Sequence, residues 1–208
     1  MVKLAAPCLS LEASGTIGDS VTFSRWKGRS YARRRVIPAN PQSALQVSIR
    51  AMMRFLSQAW VDVGATPKAS WLELATAAKV SGFNSFVREN MQRWRMFNAP
   101  SQTYPADESG THAAATLDSA TAGERCIDLT FTITTLNDAW GVILFRSPTG
   151  TFATALANAI RVIPVTTTGT LVYTDTDLDA GDYYYDARFI TKEGALGPEE
   201  GEVNATVT

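Results

Sequence analysis

The segment CIDLTFTITTLNDAWGVILF, residues 126–145, carries a clear strand pattern. Leu129, Phe131 and Ile133 alternate with threonines, and alternation with a period of two is typical of a strand that buries one face. Further short strand-like segments follow at spacings of roughly 8–12 residues: AIRVIPV, TLVYTDTDL, DYYYDARFI and EGEVNATV. The chain from about residue 115 onward therefore predicts an all-β sandwich.

Residues 1–100 predict a different module, of the α+β class. The segments SVTFSRW and RSYARRRVI flank Lys27 and Gly28, which is typical of a β-hairpin with a tight turn. Apolar residues at helical spacing predict about three helices after the hairpin. These run approximately over residues 43–60, 67–80 and 84–97.

Each predicted helix has an apolar stripe that we expect to be core. The stripes are Leu45, Ile49, Met52, Met53, Leu56 and Trp60; Trp71, Leu74, Ala75 and Ala78; and Phe86, Val87, Met91 and Trp94. On the first helix, Arg50, Arg54 and Gln58 follow one another at intervals of four and lie on a different face from the stripe.

Composition and charge both change near the middle of the chain. The segment 98–115 is rich in proline, glycine and small polar residues, which is typical of a linker. We therefore predict an anchoring module over 1–100, a linker over 101–114 and a sandwich over 115–208. Residues 1–100 carry 14 Lys and Arg against 5 Asp and Glu, whereas residues 101–208 carry 5 against 15. This split indicates that copies could stack basic face to acidic face.

Several general features limit the class of protein. The chain has 208 residues and is 45% hydrophobic, enough for a core without a metal or a disulfide. Cys8 and Cys126 show no motif spacing and are predicted to be free thiols. No run approaches the roughly 20 apolar residues of a membrane-spanning helix, and the first residues lack the apolar core of a signal peptide. We expect a soluble protein made in the cytoplasm.

The hairpin places six basic side chains among the eleven positions from Arg25 to Arg35. Arginines fall on both faces of the second strand, which indicates an edge, an arm or an interface. Nucleic-acid binding, an assembly contact and a solvated hairpin are all compatible with cations and aromatic residues. The acidic second half disfavours nucleic acid, and a membrane patch would need an amphipathic helix. We favour an assembly interface formed by Arg25, Trp26, Lys27, Arg29, Tyr31, Arg33, Arg34 and Arg35.

The sequence offers little material for catalysis or for a cofactor. His112 is the only histidine, and we assign it to the surface or the linker, because no catalytic triad or metal site can be built around it. Gly15-Thr-Ile-Gly18 lacks the ending of a phosphate loop. We predict a protein that is not an enzyme and has no cofactor or bound metal.

Two acidic or aromatic runs leave alternatives open. Asp175, Asp177 and Asp179 match the first half of a calcium loop, but Ala180 stands where glycine is needed. A corner turn of the sandwich is favoured, and a weak calcium site stays open. In the run Tyr183–Tyr185 we expect the first and third residues to be core and the second to be outside, in preference to a sugar-binding platform.

The segments WGVILFRSP and LDAGDYYYDARFITKEGALGP resemble the fibronectin type III or immunoglobulin-like pattern. Leu178, Gly181, Tyr183, Gly197 and Pro198 carry the resemblance, which covers about half of the chain. The insertion TGTFATALANA and the lack of a cysteine pair depart from it. The resemblance implies an immunoglobulin-like β-sandwich.

The N-terminal half is similar to a group of small phage and prophage proteins with a Trp-Lys-Gly hairpin and an Asn-Pro-x-Ser helix start. The matching residues are Gly15, Gly18, Trp26, Lys27, Gly28, Tyr31, Arg33, Asn40, Pro41, Ser43, Gln46 and Arg50. The resemblance implies a virion component and no enzyme.

We therefore expect a capsid decoration or cement protein, made in the host cytoplasm and located on the virion. Its partners would be the major capsid protein or other virion subunits, together with copies of itself in a symmetric assembly. The alternatives are a tail or neck (head-tail connector) component, and a nucleic-acid-binding packaging protein that uses the basic hairpin.

Overall fold

The structure is a computed structural model that describes residues 2–3, 14–18, 20–37 and 39–208. The chain forms two compact units, Met1–Pro41 and Gln42–Thr208. None of the helices in the described part is long and apolar enough to cross a membrane.

The first unit contains a four-stranded antiparallel sheet with the strand order β1-β4-β3-β2. Its strands are β1 (Val2–Lys3), β2 (Gly15–Ile17), β3 (Val21–Trp26) and β4 (Arg29–Arg34). The predicted hairpin is β3–β4, and Trp26 pairs with Arg29 across the turn. Lys27 and Gly28 both have positive φ, 48° and 77°. A two-residue turn of this kind matches the twist of the strands, and glycine adopts its conformation without strain.

The second unit begins with three helices, as predicted. They are α1 (Ala44–Ala59), α2 (Ala65–Ala78) and α3 (Gly82–Arg95). The apolar stripe predicted for α1 is too wide, because Leu45 and Met53 are 54% and 41% exposed. Met52 and Leu56 of the predicted stripe are buried, and Ile49 and Trp60 are half-buried. The other buried residues of α1 are Ser48, Phe55 and Ala59.

Two tryptophans fix the helices to their surroundings through hydrogen bonds of their indole nitrogens. The indole nitrogen of Trp94 donates to Ser48 Oγ at 3.0 Å and so joins α3 to α1. The indole nitrogen of Trp71 donates to the carbonyl of Gln102 at 2.6 Å. These bonds satisfy the polar atoms of side chains that otherwise lie in the apolar core.

Two antiparallel sheets follow the helices, with strand orders β5-β6-β9 and β11-β10-β7-β8. The strands are β5 (Ala114–Gly123), β6 (Cys126–Thr135), β7 (Ala139–Ser147), β8 (Ala159–Pro164), β9 (Gly169–Thr176), β10 (Gly181–Thr191) and β11 (Val203–Val207). The predicted all-β character of this half is confirmed. Strand β5 was not predicted, because its alanine, serine and threonine residues give only weak alternation.

Strand β7 is buried on both faces. Val142 and Leu144 join the core between the two sheets, which also contains Phe131 of β6. Ile143 and Phe145 project to the other side and join a second core with the helices. This double burial accounts for the continuous apolar run of β7, which differs from the alternation of β6.

The structure divides the chain at a different place from the predicted linker. Residues 101–114 do not separate the helices from the sandwich, since both belong to the second unit and share a core. Ser101 is fully buried, and its backbone exchanges hydrogen bonds with the side-chain amide of Asn90. The backbone nitrogen of Gln102 donates to the carbonyl of Lys192 at 2.7 Å. The small polar residues that resemble a linker are here hydrogen-bonded to both layers.

Candidate assembly interface

The cationic sheet, strands β1–β4, contains most of the predicted interface residues. Opposed residues of an antiparallel pair project to the same side of a sheet. The pairs Trp26–Arg29, Ser24–Tyr31 and Thr22–Arg33 therefore place Trp26, Arg29, Tyr31 and Arg33 on one side. We call this side the aromatic face. Trp26 is 67% exposed, so its ring is accessible.

The opposite side of the cationic sheet is its apolar face. Phe23 pairs with Ala32, and Val21 pairs with both Ile17 and Arg34. Arg25 lies on this side too, because it is two residues from Phe23 along β3. The apolar face therefore has hydrophobic residues in the middle and an arginine toward each end of the hairpin.

Two predicted interface residues lie outside the strands. Lys27 is in the turn, with its Nζ atom 4.9 Å from the centre of the Trp26 ring. Arg35 follows β4, where its backbone nitrogen donates to the carbonyl of Ser20 at 2.9 Å. Its guanidinium reaches the carbonyl of Gly18 at 3.5 Å, so Arg35 helps to hold the end of the sheet. The eight predicted residues thus do not form one surface.

The cationic sheet has no core among its described residues. None of residues 14–18, 20–37 and 39–41 is buried, and Ile17 is 62% exposed. Ile17 is not among the predicted interface residues, because the segment Gly15–Gly18 indicated only an incomplete phosphate loop and supplied two glycines of the family resemblance. The strand character of this segment depends on its pairing with β3, and a segment of three residues shows no periodicity.

Neither His112 nor Cys126 belongs to a metal-binding group in the described part of the chain. His112 is half-buried against Gly197, where a side chain at position 197 would meet its Cδ2 atom at 2.9 Å. This position differs from the expected surface or linker role. Cys126 is a free, half-buried thiol, whereas Cys8 lies outside the described residues. The described residues contain no group of three His, Cys, Asp or Glu side chains that could hold a metal.

The three aspartates of the possible calcium loop have separate roles. Asp175 is buried and accepts hydrogen bonds from Arg146 at 2.7 Å and from the Tyr185 hydroxyl at 2.9 Å. Asp179 is 93% exposed at its side chain, and its carboxylate lies 3.8 Å from Arg125. Asp177 adopts positive φ, 60°, as residues of tight turns often do. This geometry agrees with a corner turn.

Burial shifts the pKa of the groups around Asp175. Burial and the nearby charge of Asp175 raise the pKa of Tyr185. Burial alone would lower the pKa of Arg146, but its interactions with Asp175 outweigh burial and raise it. Both shifts keep the phenol neutral and the guanidinium charged, so the cluster stabilises the sandwich and shows no group prepared for proton transfer.

The tyrosine run follows the expected alternation only in part. Tyr185 is fully buried and Tyr183 is half-buried against the sandwich core. Tyr184, expected outside, is also half-buried, and its ring lies so close to Gly150 that a side chain there would meet it at 2.9 Å. The insertion after β7 therefore covers a residue that would otherwise be exposed.

Two adjacent glutamates near this insertion have opposite pKa shifts. Glu199 accepts hydrogen bonds from the Thr154 hydroxyl at 2.6 Å and from its backbone nitrogen at 3.2 Å, and these bonds lower the pKa of Glu199. Burial, followed by the charge of Asp186, raises the pKa of Glu200. Burial also raises the pKa of Asp186.

No protein-family model and no curated protein sequence matches the chain. Among solved structures, a β-1,2-glucanase from Parabacteroides distasonis is similar over 48% of this chain, with 20% identity and a TM-score of 0.37. The similar region spans only 13% of the length of that glucanase. A fibronectin type III-like protein from Clostridium thermocellum is similar over 46% of this chain and 86% of its own length, with 22% identity and a TM-score of 0.30.

Proposed function

We propose that the protein is a non-enzymatic structural component of a phage particle, a capsid decoration protein that binds the assembled shell through the cationic sheet. The observation that carries the proposal is that none of residues 14–18 and 20–37 is buried, while the sheet exposes Ile17 and groups it with Val21 and Phe23. A small sheet needs an apolar face packed against something to be stable. Covering this face on a partner subunit would supply that packing.

Arginines at both ends of the apolar face favour a protein partner. The planar guanidinium group makes two parallel hydrogen bonds to a carboxylate and also binds backbone carbonyls. The partner surface would be apolar at its centre and acidic at its edges. A subunit of the virion shell, such as the major capsid protein, would present such a surface many times in a symmetric array.

We infer that the sandwich is a fibronectin type III or immunoglobulin-like domain attached to this anchor. Its seven strands form sheets of three and four. The Tyr183 hydroxyl donates to the carbonyl of Asp179 at 3.0 Å. Tyr183 lies near the start of β10, one residue before this strand begins to pair with β7. A tyrosine corner at this position is a hallmark of immunoglobulin domains, and Tyr185 occupies the core position two residues later.

The aromatic face favours a second candidate, a nucleic-acid-binding packaging protein. Trp26 and Tyr31 could stack on bases while Arg29 and Arg33 contact phosphates. A tail or neck component would use the same protein contacts as a decoration protein and would differ in its place on the particle.

Matched pairs of substitutions test these candidates. Arg29→Ser with Arg33→Ser removes the charges of the aromatic face, and Arg25→Ser with Arg34→Ser removes those of the apolar face. Arg88→Ser with Arg95→Ser changes the net charge equally on α3 and serves as the control. The measurement is the amount of each variant that copurifies with phage particles, heads and tails separately, in moderate and in high salt.

We expect the apolar-face pair to lose incorporation into heads and the control to keep it. Wild-type protein should stay on the particle in high salt, because a partly buried contact is screened less than an exposed one. Incorporation into tails alone would favour the tail or neck candidate. If both sheet pairs enter particles normally, and the full chain binds DNA in a strongly salt-dependent way that the aromatic-face pair abolishes, the packaging candidate replaces our proposal.

A further inference from the structure

A cavity of about 290 Å³ opens between α1 and the edge strand β8. Its lining, which we call the arginine pocket, consists of Gln42, Val47, Arg50, Ala51, Arg54, Ile160 and Arg161. Arg50 and Arg54 are four residues apart on α1 and therefore share one side of the helix. Arg161 reaches the same cavity from β8, which packs against α1. Three arginines thus line one space, and none of its lining residues is a carboxylate.

The guanidinium N–H groups of the three pocket arginines have no acceptor among the described residues. Within the part of the chain that the structure describes, no ion pair or hydrogen bond joins the side chain of Arg50, Arg54 or Arg161 to another residue. Arg161 lies over the ring of Tyr173 at 5.9 Å, a contact that uses the flat face of the guanidinium and leaves its N–H edges available.

Two other arginines of the second unit have a structural role, because their side chains donate hydrogen bonds to other segments of the chain. Arg93 donates to the carbonyls of Ala99 and Gly194. Arg188 donates to the carbonyl of Gly197 and to Thr154. Each of these arginines joins two segments of the chain. Neither Arg50 nor Arg54 joins segments in this way within the described part of the chain, and Arg161 contacts another segment only through the face of the Tyr173 ring. The like charges of the three arginines repel one another, so hydrogen bonding within the fold does not account for their grouping.

We propose that the arginine pocket binds a phosphate group. An anion would neutralise the repulsion between these like charges. Val47, Ala51 and Ile160 form the apolar part of the wall, beside two exposed arginines, Arg50 and Arg54, and the half-buried Arg161. The fork of N–H donors on arginine matches the oxygens of phosphate in pairs. A cavity of this volume lies at the lower end of the range for ligand pockets and suits one such group.

A second cavity, of about 320 Å³, continues from the arginine pocket and shares Gln42, Val47 and Ile160 with it. Arg146, Asn158 and Tyr183 line its far part. The remainder of a phosphate ester, or the next unit of a phosphodiester chain, has room there. The ligand class is therefore a phosphate group that is either free or part of a nucleic-acid backbone.

The test uses the full chain with two probes, inorganic phosphate and a single-stranded oligothymidylate, each titrated against sodium chloride controls. NMR signals of the arginine Nε–H groups report the site, and calorimetry reports the affinity. Arg50→Gln with Arg54→Gln should weaken binding by about tenfold or more, and Arg161→Gln alone should weaken it as well. Arg88→Gln with Arg95→Gln removes the same charge from α3 and should leave the affinity unchanged. Circular dichroism verifies that each variant is folded.

The two probes distinguish the sources of the phosphate. Binding of inorganic phosphate at the arginine pocket supports a free or terminal phosphate group. Much tighter binding of the oligonucleotide, with a steep dependence on salt, supports a nucleic-acid backbone. The proposal is overturned if neither probe binds, if only an acidic peptide such as polyglutamate occupies the pocket, or if the α3 control loses as much affinity as the pocket variants. The inference is independent of the proposed function, because it concerns the second unit and not the cationic sheet.

Discussion

The ring of Phe55 in α1 lies 4.9 Å from the ring of Trp140 in β7. This contact lies in the core that joins the helices to the sandwich, and both residues are buried there. The neighbouring Gly141 makes the approach possible, since a side chain at that position would meet the Phe55 ring at 3.1 Å and the carbonyl of Ile163 at 2.8 Å. The helices and the sandwich are therefore expected to fold and unfold together.

Limited proteolysis can test this shared core. Trypsin should cut first within residues 20–41, because none of the described residues in this range is buried and segments without a core are cleaved most readily. Mass spectrometry should then find one resistant fragment that contains both the helices and the sandwich. Early cleavage by a protease of broad specificity within 98–115, giving two resistant fragments, would instead support two separate domains.

Two neighbouring residues of α1 test which side of the helix is core. Leu56 is fully buried, so Leu56→Ala should lower the free energy of unfolding by about 2–5 kcal/mol. Met53 is on the same helix but exposed, and Met53→Ala should change it by no more than about 0.5 kcal/mol. Urea denaturation measures both values. Equal effects of the two substitutions would mean that the buried side of α1 is assigned wrongly.

The strands and turns that were predicted correctly are those whose pattern lies within a short stretch of sequence. Leu129, Phe131 and Ile133 alternate along β6, and their burial follows from that alternation. The Lys27-Gly28 turn is equally local. The continuous apolar run of β7 indicated a strand, but the second buried face became evident only when the helices were seen to pack on it.

The two candidate sites depend on relationships that a single sequence does not contain. The composition of the hairpin identified its eight cationic and aromatic residues, whereas their distribution between two faces and a turn depends on strand register. Helical spacing predicts that Arg50 and Arg54 share one side of α1. Arg161 joins them only because β8 packs against α1, and nothing near Arg161 in the sequence indicates this.

Substitution of Asp175 can test whether the loop from Asp175 to Asp179 has a structural role or binds calcium. Asp175→Ala would leave the Tyr185 hydroxyl and Arg146 without their acceptor, and removing a partner from buried polar groups costs about 1–3 kcal/mol. Asp179→Ala removes only an exposed ion pair and should change stability by less than about 0.5 kcal/mol. Thermal unfolding with calcium or with a chelator measures both. A calcium-dependent stabilisation that both substitutions abolish would show that the loop binds the ion.

Glu199 and Glu200 allow a test of pH dependence with adjacent residues as mutual controls. Burial and the charge of Asp186 raise the pKa of Glu200. Protonated Glu200 therefore stabilises the folded state below its unfolded pKa of about 4.3, and this stabilisation is lost as the pH rises through its folded pKa. The pKa of Glu199 is lowered by its hydrogen bonds from Thr154. Ionised Glu199 therefore stabilises the folded state above its unfolded pKa, and this stabilisation is lost as the pH falls through its folded pKa.

Glutamine substitutions at these two positions should accordingly have effects of opposite sign. At neutral pH, Glu200→Gln removes a charge that burial and Asp186 disfavour, so the variant should be more stable than the wild type, by less than about 1 kcal/mol because water screens a partly exposed group. Glu199→Gln weakens the hydrogen bonds from Thr154 and should be less stable at neutral pH. The difference for Glu200→Gln should shrink toward zero at about pH 3.5, where its carboxyl group is protonated in both states. The difference for Glu199→Gln should be retained further as the pH falls, because the hydrogen bonds from Thr154 lower the pKa of Glu199. Free energies of unfolding from denaturant titrations at the two pH values provide the measurement. A Glu200→Gln variant that is less stable than the wild type at neutral pH would mean that the Glu200 carboxylate is stabilised by a favourable partner and not opposed by Asp186.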